Sequence, residues 1–320
     1  MAVYTPVSAA ALSAFLARYD IGTAVSFKGI AEGVENSNYL LDTTRGRYIL
    51  TLYERRVAAG DLPYFLDLLT HCADRALPVP RPVRDRTGTA LQTLCGRPAC
   101  LIEFAAGVSV TEPEPDACHA AGAALGRLHD AVADFPGVRA NTLAPADWHR
   151  LLGGIAARLD EIDPALGPLI DHELRAVEHG WPHDLDRTTI HADLFPDNVL
   201  LLDGRVTGLI DFYFACTDIR AYDLAVMHTA WTFSADGRNF EPARAAALVA
   251  GYRSTHPLTA AEAAALPLLC RGAALRFTLT RAYDWLHTPA DALVTRKDPL
   301  HFARRLEWYA GATAAQVAGG

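Results

Sequence analysis

The stretch His191-Ala192-Asp193-Leu194-Phe195-Pro196-Asp197-Asn198, followed by Val199-Leu200-Leu201-Leu202, Asp203-Gly204 and the run 206–210 that leads into Asp211-Phe212, decides how this chain of 320 residues is read. Two aliphatic and β-branched runs flank an Asp-Gly pair, the signature of a hairpin with a two-residue turn. A further strand-like run, Thr188-Thr189-Ile190, leads into the loop. Asp193, Asn198 and Asp211 therefore fall in a loop or at strand ends, where a rigid scaffold can aim side chains at one point.

Outward from this island the pattern is helical. Cys118, Ala121, Leu125 and Leu128 recur at helical spacing behind an Asp116 cap. Trp148, Leu151, Leu152, Ile155 and Leu159 predict a second helix, and residues 268–286 a third. The first third of the chain differs. Leu12, Phe15, Leu16 and Tyr19 predict a helix after Thr5-Pro6, and residues 22–53 read as three strands. The third alternates, with Tyr48, Leu50 and Leu52 on one face and Ile49, Thr51 and Tyr53 on the other. A helix with Leu62, Phe65, Leu66 and Leu69 on its buried stripe ends before the extended Pro78-Val79-Pro80-Arg81-Pro82, and strands follow near 90–94 and 98–104. This order predicts an α+β chain: an N-terminal lobe over 1–105 built on an antiparallel sheet, then a mainly helical lobe over 106–320. The proline-broken Glu112-Pro113-Glu114-Pro115 lies just past the boundary.

With 51% hydrophobic and 21% charged residues the chain can bury a large core, which excludes global disorder. Lys plus Arg number 29 against 37 Asp plus Glu, so no basic excess is available to neutralise a nucleic-acid backbone. Only Lys28 and Lys297 are lysines. Six cysteines without a C-x-x-C pair predict reduced, mostly buried thiols. Without a secretory signal or an apolar run long enough to span a bilayer, the expectation is a cytoplasmic protein with neither nucleic-acid nor membrane partner.

Asn198 and Asp211 are oxygen donors that can share a divalent cation, while Asp193 is a separate carboxylate. Phosphoryl transfer needs that set: the cation bridges phosphate oxygens and the carboxylate orients an acceptor hydroxyl and takes its proton. Gly29-Ile30-Ala31-Glu32-Gly33, between two predicted strands and followed by Asn36-Ser37-Asn38, can bring backbone N–H groups close to phosphate oxygens. A Walker-type loop is excluded, because neither lysine follows a glycine. A metal-dependent hydrolase using His191, Asp193 and His228 competes, but it lacks H-x-H or H-E-x-x-H spacing and leaves Asn198 unexplained.

Together these segments resemble the aminoglycoside-phosphotransferase and choline-kinase group, relatives of the protein kinases, and within it the kinase-like (type II) homoserine kinases. The resemblance rests on His191 through Leu200 with the distal Ile210-Asp211-Phe212, which specify the group. It rests further on Gly33-Val34-Glu35-Asn36-Ser37-Asn38-Tyr39, Tyr48 through Arg56, Asp61-Leu62-Pro63, Ala221-Tyr222-Asp223-Leu224-Ala225, Leu275-Arg276-Phe277 and Tyr283-Asp284-Trp285. It implies a protein-kinase-like two-lobed fold and ATP with Mg²⁺ as cofactors. It also implies L-homoserine as the small-molecule acceptor, phosphorylated in threonine biosynthesis, and fixes no oligomeric state. Choline, ethanolamine, methylthioribose or an aminoglycoside remain alternative acceptors, and a nucleotide-binding pseudokinase the alternative to an enzyme.

Carried over, Asp193 matches the catalytic aspartate and Asn198 with Asp211 the metal pair. His191 and Asp223 would support the loop. Gly29, Gly33, Asn36, Ser37 and Asn38 would meet the nucleotide phosphates, and adenine would lie against backbone groups at Glu103 and Ala105. Ala192 and Tyr213 depart from the protein-kinase pattern, so no flipping activation segment is expected. Thr51 stands where those kinases carry a phosphate-binding lysine, leaving Mg²⁺, backbone N–H groups, Lys28 or Arg55 and Arg56 to meet that charge; Lys297 falls far too late in the chain. An acceptor pocket lined by Arg276, Thr280 and Tyr283 from one helix face is the last expectation.

Overall fold

The computed structural model describes residues 5–30, 36–54, 58–288 and 296–319. The chain divides into two compact units, Met1–Ala106 and Gly107–Gly320.

In the first unit α1 (Ala9–Leu16) starts at Ser8, whose hydroxyl oxygen accepts from the Ala11 N–H. β1 (Ala24–Gly29), β2 (Asn36–Thr43) and β3 (Gly46–Tyr53) follow, then α2 (Leu62–Asp74), β4 (Pro82–Val83), β5 (Gln92–Leu94) and β6 (Arg97–Glu103). The sheet order is β1-β2-β3-β6-β4 with β5 also on β6, and every pairing is antiparallel. One sheet face carries Tyr39, Leu41, Leu50, Leu52 and Leu101 into a core with Leu12, Phe15 and Leu16 of α1. The predicted alternation of β3 is therefore the observed one. β4 was not expected from its sequence. Pro82 pairs with Ile102 at the sheet edge, a position that tolerates a missing N–H.

The second unit contains α3 (Pro115–Ala131), α4 (Pro145–Gly153), α5 (Leu166–Gly180), β7 (Arg187–Ile190), β8 (Val199–Leu202), β9 (Arg205–Leu209), β10 (Cys216–Ile219), α6 (Arg220–Trp231), α7 (Pro242–Thr255), α8 (Ala260–His287), α9 (Leu300–Ala310) and α10 (Ala314–Val317). β8 pairs with β9 and β7 with β10. α6 is buried on nearly all sides, the mark of a central core helix. α3 and α7 touch through glycines: a Cβ on Gly122 would lie 2.2 Å from the Leu248 carbonyl oxygen, and one on Gly251 2.1 Å from that of His119.

Three sequence expectations are corrected. The N-cap of α3 is Glu114, followed by Pro115, and Asp116 sits in the first turn instead of capping it. The predicted helix 148–159 is two pieces, because α4 stops at Gly153-Gly154 and a 3₁₀ segment, Ala156–Glu161, takes over. α8 starts well before residue 268. A reciprocal cap between Thr259 and Glu262 launches it, and it continues through Pro267. No disulfide forms: among the six free cysteines only Cys95 is exposed. No helix among the described residues is long and apolar enough to cross a membrane.

Candidate active site

The β8–β9 hairpin sets the spacing of the two predicted metal donors. Asp203 and Gly204 both take positive φ, as a two-residue turn demands, and Val199 pairs with Leu209 at the open end. One step further the Ile210 N–H donates to the Asn198 carbonyl (3.0 Å), so Asn198 and Asp211 leave the same end of one hairpin. Asp211 is left-handed (φ 65°, ψ 57°), which turns the chain into a short 3₁₀ segment at 212–214.

Behind the hairpin, the 191–198 loop is tied down by ionised and backbone groups. Asp223, buried in α6, accepts from the backbone N–H of His191 (2.7 Å) and of Ala192 (2.8 Å). Those bonds hold Ala192 at φ 63°. His129 of α3 adds its Nε2 to Asp223 at 3.2 Å, while the Tyr252 hydroxyl donates to its Nδ1. Burial alone would raise the Asp223 carboxyl, but the hydrogen bond from His129 and the backbone N–H of His191 outweigh it and hold the group below the ordinary carboxylate range. His191 donates from Nε2 to the Ile210 carbonyl (2.9 Å) and accepts at Nδ1 from the Asp193 N–H (3.3 Å). Burial holds its pKa below the usual imidazole range, so it is the neutral form that joins the loop to the hairpin. The Trp231 indole N–H donates to the Leu194 carbonyl (2.9 Å).

Asp193 is half-buried at the centre of this arrangement. Burial pushes its carboxyl up to about 8, with Arg276 opposing and the nearby Asp211 adding to the rise. Asn198 spends its amide Nδ2 on the Asp193 carbonyl (2.8 Å), which leaves its Oδ1 to face a cation. One amide oxygen and one exposed carboxylate are hard oxygen donors at neighbouring positions, a set that fits a small divalent cation. His228, by contrast, is buried between the Tyr309 hydroxyl and the Val317 carbonyl, so the alternative hydrolase ligand set is not assembled.

Several expectations change. Arg276 is 1% exposed: its Nη1 donates to the Ala192 carbonyl (2.6 Å), its guanidinium lies over Phe277 and Phe214, and its Nε has no partner. It therefore props the loop from beneath instead of lining an open acceptor pocket. Tyr283, 39% exposed and stacked on His287, does not share its setting. Lys297, which looked too distant in sequence, lies 3.5 Å from the Asp197 carboxylate and over the Phe195 ring. His129 had no sequence signal beyond lying on an amphipathic helix.

In the first unit the polar run is part of β2, with side chains already engaged. Ser37 is fully buried and donates to Glu54 (2.6 Å), Asn36 accepts from the Glu54 N–H (3.4 Å), and Asn38 accepts from the Thr51 hydroxyl (2.8 Å). Ser37 is thus a strand residue facing inward, which removes its side chain from any phosphate cradle. Thr51, at 3% exposure, occupies the expected lysine position as half of a neutral hydrogen bond. The Glu103 N–H is spent on the Arg81 carbonyl (2.9 Å), leaving its carbonyl and the Ala105 backbone for a ligand. Gly29 ends β1, exposed. Gly33, Arg55 and Arg56 lie outside the described residues.

A sheet lobe, a mainly helical lobe and a hairpin-borne pair of oxygen donors beside a clamped aspartate define a phosphotransferase. The profile of the phosphotransferase enzyme family matches residues 26–258, and the chain belongs to that family. Within it, the chain is 56% identical over 315 residues to the homoserine kinase of Gluconobacter oxydans (strain 621H), covering 98% of this chain and 99% of that one. It is 55% identical over 309 residues to the homoserine kinase of Methylobacterium radiotolerans, covering 97% and 96%. Among solved structures, an amicoumacin kinase in complex with AMP-PNP and Ca²⁺ matches with a TM-score of 0.70 at 17% identity, over 95% of this chain and 93% of that one. An ethanolamine kinase of Plasmodium vivax matches at 0.63 and 16%, over 89% and 82%. At such identities the structures speak for the fold.

Proposed function

We propose that the protein transfers the γ-phosphoryl group of ATP to the hydroxyl of L-homoserine, giving O-phospho-L-homoserine and ADP, in the cytoplasm. The observation that carries the reading is the full-length identity to homoserine kinases, since the clamped loop supports a kinase without choosing its acceptor. Asp193 orients the homoserine hydroxyl and takes its proton as the oxygen–phosphorus bond forms and the bond from γ-phosphorus to the bridging oxygen of ADP breaks. Asn198 and Asp211 would hold Mg²⁺, which supplies charge neutralisation at the phosphate oxygens. Asp223, His191 and Arg276 position Asp193 through the backbone and never touch the reacting atoms. In the first unit the backbone at Gly29, Asn36, Asn38, Glu103 and Ala105 would contact the nucleotide. With Thr51 neutral, Lys28 and backbone N–H groups would face its phosphates.

The test is product formation. With Mg-ATP and a panel of homoserine, choline, ethanolamine, methylthioribose and an aminoglycoside, phosphohomoserine should dominate by mass spectrometry. Product from another acceptor alone would sink homoserine and keep the kinase.

A further inference from the structure

Beside the 191–198 loop, wholly within the second unit, lies a cavity of about 180 Å³ lined by Glu112, Pro196, Phe233, Glu241, Arg244 and Arg305 among others. At about 30 Å³ per water molecule this is room for about six waters, the size of a small amino acid. Its charged groups are not paired with one another. Glu112, Glu241 and Arg244 make no side-chain hydrogen bond or ion pair among the described residues. Arg305, only 4% exposed, lies over the Phe302 and Phe233 rings and sends both of its hydrogen bonds from Nη2, to the Ser234 and Ala235 carbonyls, while its buried Nε has no partner among the described residues. A buried guanidinium without a counter-ion is costly, and so is a half-buried carboxylate left unmatched. Two guanidiniums and two carboxylates held apart around one small cavity suit a ligand that carries both charges itself.

The cavity also adjoins the chemistry. Pro196, in its lining, is three residues past Asp193, and Phe233, also in its lining, is two residues past Trp231, whose indole N–H holds the Leu194 carbonyl of that loop. We propose that this cavity binds the α-carboxylate and α-ammonium of the amino-acid acceptor, with Arg244 and Arg305 on the carboxylate, Glu241 and Glu112 on the ammonium, and the hydroxyl end directed towards Asp193. The inference rests on the homoserine reading above and gives that reading its recognition site. It also replaces the pocket expected around Arg276 and Tyr283.

Steady-state kinetics of Glu241→Gln and Arg244→Gln test it, with L-homoserine and two trimmed acceptors: 4-hydroxybutyrate, which lacks the ammonium, and 3-amino-1-propanol, which lacks the carboxylate. Parental turnover of homoserine is measured first, and its absence overturns the function and the site together. Given turnover, each variant should raise KM for homoserine about tenfold or more, the loss of one charge-assisted hydrogen bond, with KM for ATP unchanged. Glu241→Gln should leave 4-hydroxybutyrate as the parent handles it, and Arg244→Gln should do the same for 3-amino-1-propanol. Parental KM for homoserine in both variants, or an equal loss with every acceptor, overturns the site while the kinase reading stands. Melting curves check folding. Should a half-buried position not tolerate change, Glu112→Gln at an exposed position should shift KM for homoserine in the same direction, and an unchanged value there counts against the site.

Discussion

In the second unit the 191–198 loop is held from beneath by Asp223 of α6, by Arg276 of α8 and by the Ile210 carbonyl at the end of β9. At the start of β2 in the first unit, Asn36, Ser37 and Asn38 are held by neighbours in the same sheet, Glu54 and Thr51. Asp223 and Arg276 are ionised groups acting on backbone atoms of the loop, which fixes the chain and leaves the Asp193 side chain to react. The sheet's bonds are side chain to side chain or to the adjacent strand, and they consume the polar groups they hold. A site that must present a carboxylate in one orientation is built the first way. A strand that need only offer backbone can be built the second way.

The sharpest break of this contrast is Asp223→Ala. It removes the acceptor of two buried N–H groups and strands His129, so it should cost about 3–5 kcal/mol of stability in the second unit. Chemical denaturation followed by tryptophan fluorescence reads that unit alone, because all five tryptophans lie beyond residue 147. A loss below about 1 kcal/mol would show that the loop holds itself.

Acid should also separate the units. His191 and His228 are buried with their pKa lowered, His228 to about 4, chiefly by burial. Each binds a proton more tightly unfolded than folded, so the stability they confer is intact above the unfolded value and lost as pH falls below it. For His228 the loss is about 1.4 kcal/mol per pH unit between about 6.5 and 4. The first unit buries no histidine among its described residues, and its hydrogen-exchange protection should hold over that range. Parallel loss in both units would contradict the assignment.

Asp193→Asn should leave the clamps in place and remove the proton acceptor. We expect kcat to fall by about a hundredfold or more with ATP affinity, measured by calorimetry, little changed. Loss of ATP binding in step with turnover would move Asp193 from the chemistry to the nucleotide site.

The smallest effect belongs to the sheet. Thr51→Val keeps shape and removes one neutral hydrogen bond to Asn38, so it should cost about 1 kcal/mol and shift KM for ATP by less than about threefold. A larger rise in KM would mean that the Thr51–Asn38 pair meets the phosphates directly.

Part of this architecture follows from local spacing alone. Asp203-Gly204 sets the turn, the turn sets the register, and the register brings Asn198 and Asp211 to one end of a hairpin. Alternation in β3 and the stripe of α2 likewise follow from neighbours in the chain. What Arg276, Arg305 and His129 do depends on packing between distant segments. Arg276 reaches a carbonyl 84 residues away, and Arg305 one that is 71 away. A charged side chain on a helix reads as a solvated one until packing takes water from it. Burial then makes a partner obligatory, and which partner it finds depends on elements that meet in space and leave no period in the sequence.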